Sequence, residues 1–233
     1  MSPIADHPEV RAALDLFTAW IEAQMAYAGQ PGLSAGIVHE QELIWARGFG
    51  WADRERRVPA TPETLYRIAS ITKLFTATAI LKLRDAGHLR LDDAVADHLP
   101  WFKLERPAAD APPVTIRHLL THTSGLPRES PFPYWTDARF PSIEEVREAL
   151  SRQSAVLAPD TLWKYSNLAL TLAGEIVAAV AGVPWSDYVE REVVAPLGMA
   201  GTLARTPAPD QPGLARGYGR RLPGGTRAAS PFT

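Results

Sequence analysis

LYRIASITKLFTATAILKL, residues 65–83, holds a helix and a reactive pair in one stretch. Ile71, Leu74, Phe75, Thr78 and Ala79 recur at helical spacing, which predicts a helix over 70–86 closed by Gly87. Its threonines lower intrinsic propensity, so burial has to favour the helix. Ser70 and Lys73 stand three residues apart at its start and face nearly the same side. An alkoxide forming at Ser70 would meet the helix's N-terminal N–H groups, and an amine partly removed from water can accept the serine proton. Alone, the pair fits an N-capping serine beside a surface lysine as well as it fits a nucleophile and its base.

Upstream, EVRAALDLFTAWIEAQMAYA (9–28) has the apolar stripe of a helix that begins near Pro8 and ends at Gly29. LSAGIVH (33–39) and ELIWARG (42–48) have the length and β-branched content of two strands joined by Glu40-Gln41, an antiparallel hairpin without an Asn-Gly turn. GFGWADRERRVPATPETL (48–65) reads as an irregular crossover. Downstream, 88–100 predicts a short helix and 101–114 a loop. TIRHLLTHTSGLP (115–127) predicts another short helix, with Thr115 as N-cap and Gly125 as stop. The proline-rich stretch 127–141 carries Phe132, Tyr134 and Trp135, a candidate pocket wall. Ser142 and Glu145 spell a capping box ahead of Val146 and Leu150. LALTLAGEIVAAVA (168–181), stopped by Gly182, is the most apolar helix, and 184–194 is the last; beyond 203 no periodicity remains.

Tyr165-Ser166-Asn167 precedes that apolar helix. A phenol and an amide two residues apart can serve one cleft, the phenol moving a proton and the amide holding a carbonyl. Asn167 equally suits the helix cap, and Tyr165 the core edge. His118 and His122 have the i, i+4 spacing of metal ligands, but no third ligand accompanies them, and structural histidines are the expectation. No metal and no cofactor is implied. GxSxG, P-loop and GxGxxG motifs do not occur.

The 233 residues carry 24 Lys and Arg against 26 Asp and Glu, a net charge of −2. Such a balance supplies no field for nucleic acid or an anionic membrane, so neither is expected as a partner. Cysteine is absent, which excludes a thiol nucleophile, disulfides and thiolate metal sites. No run reaches 18 apolar residues, and MSPIADHPEV has no basic-then-apolar leader pattern, so the expected location is cytoplasmic.

Taken in order, LYRIASITKLFTATAILKL, LDDAVADHLP, TIRHLLTHTSGLP, WKYSNLALTLAGEIV and APLGMAGT resemble the serine β-lactamase-like superfamily. The nearest likeness is to its class C β-lactamase, D-alanyl-D-alanine carboxypeptidase and esterase branch. The resemblance implies an α+β fold, an antiparallel sheet flanked by helices plus an all-helical region. Residues 1–69 would begin the α/β domain, 70–203 form the helical domain, and 204–233 lead back toward the sheet. Ser70 resembles the acylated nucleophile and Lys73 the base that activates it. Tyr165 resembles the general acid/base of a YxN motif, and Asn167 the amide that positions substrate and lysine. The Ser70 N–H would supply half of an oxyanion hole.

The family's third motif, Lys/His-Thr/Ser-Gly on a strand, does not occur here. The resemblance therefore implies C-terminal strands missing from this chain, supplied by a complementary chain or fragment. Asp160 also stands where the family usually has glycine, and Ala94 where proline is common. The expected activity is hydrolysis of small carboxylic esters, or of amides or β-lactams, through an acyl-enzyme. A β-lactamase or carboxypeptidase is the alternative, and a non-catalytic binding module or inactive truncated homologue the other.

Overall fold

A computed structural model describes residues 3–105, 107, 108, 110–134, 139–208, 211–220, 224 and 227–230. The chain divides into two compact units, Met1–Arg67 with Pro207–Thr233, and Ile68–Thr206.

The first unit is built on a hairpin. Helix α1 (Pro8–Ala28) starts with proline in its first turn and ends at Gly29 in the left-handed region. Strands β1 (Gly32–His39) and β2 (Glu42–Asp53) pair antiparallel, Gly32 opposite Gly50 and His39 opposite Glu42. The expected hairpin is present. Its turn uses two non-glycine residues at positive φ, Glu40 at 47° and Gln41 at 68°. That is the primed-turn geometry which matches strand twist, reached here without the usual Asn-Gly. A register shift at Ile37/Val38 kinks the pair.

A third strand, β3 (Val58–Pro59), pairs with Trp51 and Asp53 where an irregular crossover was expected. Gly48 explains how the chain returns so closely, since a Cβ there would lie 2.0 Å from the Ala60 carbonyl oxygen. α1 lies on the hairpin through Phe17, whose ring meets Trp45 edge-on at 5.7 Å. Ile21 is buried, whereas Leu16, Trp20 and Tyr27 of the same helix are exposed.

The aperiodic C-terminal stretch is tied to this unit by its backbone. Leu65 N donates to Gly213 O, Ala215 N to Leu65 O and Arg216 N to Ala52 O, each at 2.8 Å. Arg227 donates to the carbonyls of Ala28 and Gly29, capping α1. The sheet order is β1-β2-β3, so among the described residues β1 is an open edge.

The second unit is helical. It runs through a 3₁₀ turn (Ala69–Ile71), α2 (Thr72–Asp85), α3 (Val95–His98), α4 (Ile116–Thr121), α5 (Ile143–Leu150), α6 (Asn167–Ala181) and α7 (Trp185–Val189), with a π-helical turn over Glu190–Val194. α6 is its axis. Leu168, Ala169, Leu172, Ala173, Ile176 and Val177 are all buried, against Ala79, Ile80 and Leu83 of α2, Ile116 and Leu119 of α4, and Tyr188 and Val189 of α7. Each fully buried Leu or Ile contributes about 1.5–3 kcal/mol of transfer free energy, which outweighs the poor propensity of the threonines in α2.

Two boundaries differ from expectation. α4 stops at His122, which takes the left-handed cap at φ 60°, three residues before Gly125. The cap of α6 is Ser166, whose hydroxyl accepts from Ala169 N at 3.0 Å, and not Asn167.

Candidate active site

Ser70 lies in the 3₁₀ turn, one step outside α2, rather than in the α-helix itself. The residue before it, Ala69, has φ 46°. A left-handed alanine costs on the order of 1 kcal/mol, and such strain concentrates at working sites. The turn exposes Ser70, and α2 carries Lys73 back over it, so that Lys73 Nζ donates to Ser70 Oγ at 3.2 Å.

Tyr165 arrives from elsewhere in the unit. Its hydroxyl donates to the same Ser70 Oγ at 2.8 Å. What places it is the backbone of 122–128. The carbonyl of His122 accepts from Lys164 N at 2.8 Å, that of Thr123 from Asp160 N at 2.9 Å, and that of Gly125 from Val156 N at 2.9 Å. The Arg128 carbonyl accepts from Asn167 N at 2.8 Å and Leu168 N at 3.2 Å, satisfying two orphan donors of α6. Ser166 is fully buried between the two segments and donates to Pro127 O at 2.6 Å. HTSGLPR therefore works as a template of carbonyls along which the Tyr165 segment is laid. Gly125 is required there: its φ is 69°, and a Cβ would lie 2.0 Å from Leu157 O.

Side chains complete the seating. The His122 ring packs 4.6 Å from the Tyr165 ring, and Nδ1 accepts from Ser166 N at 3.3 Å. An accepting Nδ1 needs a neutral imidazole. Burial, reinforced by the charge of Lys73, pushes the His122 pKa below its ordinary value and keeps the ring neutral. Trp163 leans on both rings, 6.0 Å from His122 and 6.5 Å from Tyr165.

Two cations face the phenol ring, Lys73 Nζ at 4.9 Å and the Arg128 guanidinium at 5.6 Å from its centre. Burial alone would raise the Tyr165 pKa. The hydrogen bonds with Lys73 and Ser70 and the charges of Lys73 and Arg128 outweigh it, and the phenol sits below the usual value near 10.

Asn167, at the first position of α6, turns its amide Nδ2 to Glu129 Oε1 at 2.6 Å. Tyr134 lines the cavity beside Asn167 with Glu129 and Ser130. Phe132 packs on the hydrophobic core and meets Tyr134 edge-on at 6.3 Å. Trp135 falls outside the described residues.

The two histidines with metal-ligand spacing are both engaged. His118 Nδ1 accepts from Thr115 N at 3.1 Å, and Nε2 pairs with Asp160 Oδ2 at 3.0 Å. Among the described residues no cluster of three or more His, Asp or Glu could hold a metal ion. Asp160 takes φ 60°, the conformation that the more usual glycine adopts without cost. Sequence reasoning missed Arg128, Glu129 and His122 as neighbours of the reactive group. The signal was the HTSGLPRE string, in which carbonyls do the positioning.

The family model described as Beta-lactamase matches residues 17–233. The chain belongs to the Beta-lactamase family. This superfamily of hydrolases includes esterases, carboxypeptidases and β-lactamases, and its members are typically serine hydrolases. Among solved structures, the octameric penicillin-binding protein homologue from Pyrococcus abyssi superposes with a TM-score of 0.79 at 33% identity, over 94% of this chain and 50% of that one. EstCE1, a hydrolase with promiscuous acyltransferase activity, gives a TM-score of 0.73 at 28% identity, over 89% of this chain and 56% of the other. Protein flp of Staphylococcus aureus is 33% identical over 182 residues, 78% of this chain and 36% of flp. The chain thus spans well under two thirds of the length of the proteins it resembles.

Proposed function

We propose that this Beta-lactamase family chain is a serine hydrolase that moves the acyl group of a carboxylic ester onto Ser70 and from there to water. The observation that carries the proposal is the convergence of Lys73 Nζ and Tyr165 OH on Ser70 Oγ, at 3.2 and 2.8 Å. These are the distances over which a proton passes in general-base catalysis. The lowered pKa of Tyr165 favours its phenolate as the group that takes the serine proton, with Lys73 and Arg128 as the cations that hold the phenolate.

In the first half-reaction the Oγ–carbonyl carbon bond forms as the proton moves to Tyr165. The carbon–oxygen bond to the leaving alcohol then breaks as Tyr165 returns that proton to it. Water repeats the sequence on the acyl-enzyme, Tyr165 taking its proton and returning it to Ser70. Asn167, held by Glu129, is the proposed positioning amide. Ser70 N–H is the proposed first oxyanion donor.

The second oxyanion donor is proposed to come from a complementary C-terminal chain or fragment. The open edge of β1 and the exposed stripe of α1 support this. A monodisperse 25.5 kDa monomer that hydrolyses esters by itself would remove the need for one.

Intact-mass analysis after treatment with a fluorophosphonate tests the catalytic reading. One adduct is expected on the wild type and none on Ser70→Ala. An unlabelled wild type that also leaves p-nitrophenyl acetate intact, with and without a complementing fragment, would favour a non-catalytic module. Acylation by penicillin with slow turnover, in place of ester hydrolysis, would favour the β-lactamase or carboxypeptidase alternative.

A further inference from the structure

Beside Asn167 lies a cavity of about 250 Å³ with a distinct chemical character. Phe140, Val146 and Leu168 form its apolar wall, and its polar residues are Glu129, Ser130, Tyr134, Asn167 and Thr171. We infer that this cavity receives a primary aliphatic ammonium group of the substrate, its carbon stem along the apolar wall and its charged end on Glu129. The inference deepens the serine-hydrolase reading and rests on it for the position of the scissile carbonyl.

Three features argue for a cation. Both described partners of Glu129, the Asn167 amide at 2.6 Å and the Arg128 guanidinium at 3.6 Å, engage Oε1. A carboxylate offers about four acceptor positions. Oε2 carries no hydrogen bond among the described residues, and Glu129 is one of the groups that line the cavity. The Arg128 guanidinium is exposed and also lies over the Tyr165 ring at 5.6 Å, so Glu129 is not its only partner.

The remaining polar groups are also suited to accept. Asn167 gives its N–H to Glu129, which leaves its Oδ1 as an acceptor. The Ser130 and Tyr134 hydroxyls bond to each other, so one of the two oxygens retains lone pairs for a third group. An ammonium has three donors and no acceptor, and so matches a carboxylate, an amide oxygen and a hydroxyl. A carboxylate-bearing substrate would meet Glu129 with like charge. A purely aliphatic one would desolvate Glu129 without compensation.

The same chemistry can reach the cavity from the acyl or the alcohol part of an ester, and the test separates them. Rates are compared for p-nitrophenyl 6-aminohexanoate against p-nitrophenyl hexanoate, and for 6-aminohexyl acetate against hexyl acetate. In one of the two pairs the aminated ester is expected to have a kcat/KM about tenfold or more higher at low salt, the scale of one charge-assisted hydrogen bond. Glu129→Gln should bring that ratio to about one, and Glu129→Lys should invert it in favour of a substrate ending in carboxylate. The ratio isolates the charge, because any loss of Asn167 positioning slows both esters of a pair. Equal rates for both pairs, or a ratio unchanged in Glu129→Gln, would overturn the inference.

If no ester is turned over, the hydrolase reading fails separately. The cavity is then read by NMR titration with hexylammonium and 1-hexanol. Tighter binding of hexylammonium that Glu129→Gln abolishes supports the inference, and equal binding of the two overturns it.

Discussion

The Tyr165 phenol lies 2.8 Å from the Ser70 hydroxyl across 95 residues of sequence, and nothing local to either residue brings them together. Ser70 is presented by a 3₁₀ turn, and Tyr165 by a segment laid along the carbonyls of 122–128. If this pair carries the proton, Tyr165→Phe removes the relay and leaves the fold intact. A loss of about 10²–10⁴ in kcat is expected, the usual contribution of a general acid–base group. Unchanged thermal unfolding would show that the loss is chemical. A variant that keeps wild-type kcat would remove Tyr165 from the mechanism.

The charges around the phenol predict a pH profile. A base works when deprotonated, so kcat/KM should rise with pH and level off above the Tyr165 pKa, which lies below 10. Arg128 is one cause of that lowering. Arg128→Ala should therefore move the rising limb to higher pH and leave the high-pH plateau largely in place. A limb that stays put in Arg128→Ala would show that another group governs it.

Much of this arrangement can be read from the chain, and the rest is hidden for identifiable reasons. Ser70/Lys73 and Tyr165/Asn167 stand out because side chains carry their chemistry, and the hairpin because Ile37, Val38, Leu43 and Ile44 have strand character. The turn at Glu40-Gln41 gives no sign, since neither residue type announces a positive φ. The end of α4 at His122 is hidden for the same reason, while Gly125 a few residues on attracts the assignment. The template is invisible because main-chain carbonyls exist at every residue and the sequence does not show which ones face a partner. The histidine pair has the spacing of metal ligands, but one ring bonds an aspartate and the other a backbone N–H.

Gly125 tests the template directly. At φ 69°, with Leu157 O 2.0 Å from where a Cβ would sit, alanine must displace the 156–158 segment. Gly125→Ala is expected to cost more than the roughly 1 kcal/mol of a left-handed alanine, and to lower kcat by moving Tyr165. Urea unfolding and steady-state kinetics on the same sample would read both. Full activity at reduced stability would separate the template from the chemistry.

Ser166 tests the junction of template and α6. Its hydroxyl accepts from Ala169 N and donates to Pro127 O, and the residue is fully buried. Ser166→Ala removes a helix cap and strands a buried carbonyl, a loss of about 2 kcal/mol. Ser166→Thr keeps the hydroxyl and should recover part of it. Equal urea midpoints for wild type and Ser166→Ala would contradict the assignment.

Asp160 offers a stability test with a definite sign. Its carboxyl is held below the ordinary value of 3.8 by hydrogen bonds with Thr123 first and His118 second. A depressed folded-state pKa stabilises the native chain above the unfolded value, and the gain fades as pH falls through the folded one. Asn tolerates the φ of 60° found here, so Asp160→Asn removes the charge with little change in backbone preference. The wild type should therefore melt above Asp160→Asn at pH 5, and the gap should narrow as the pH falls below 3.8 and through the lower folded-state pKa. A gap in melting temperature that does not narrow with acidification would mean that the carboxylate's charge is not its source.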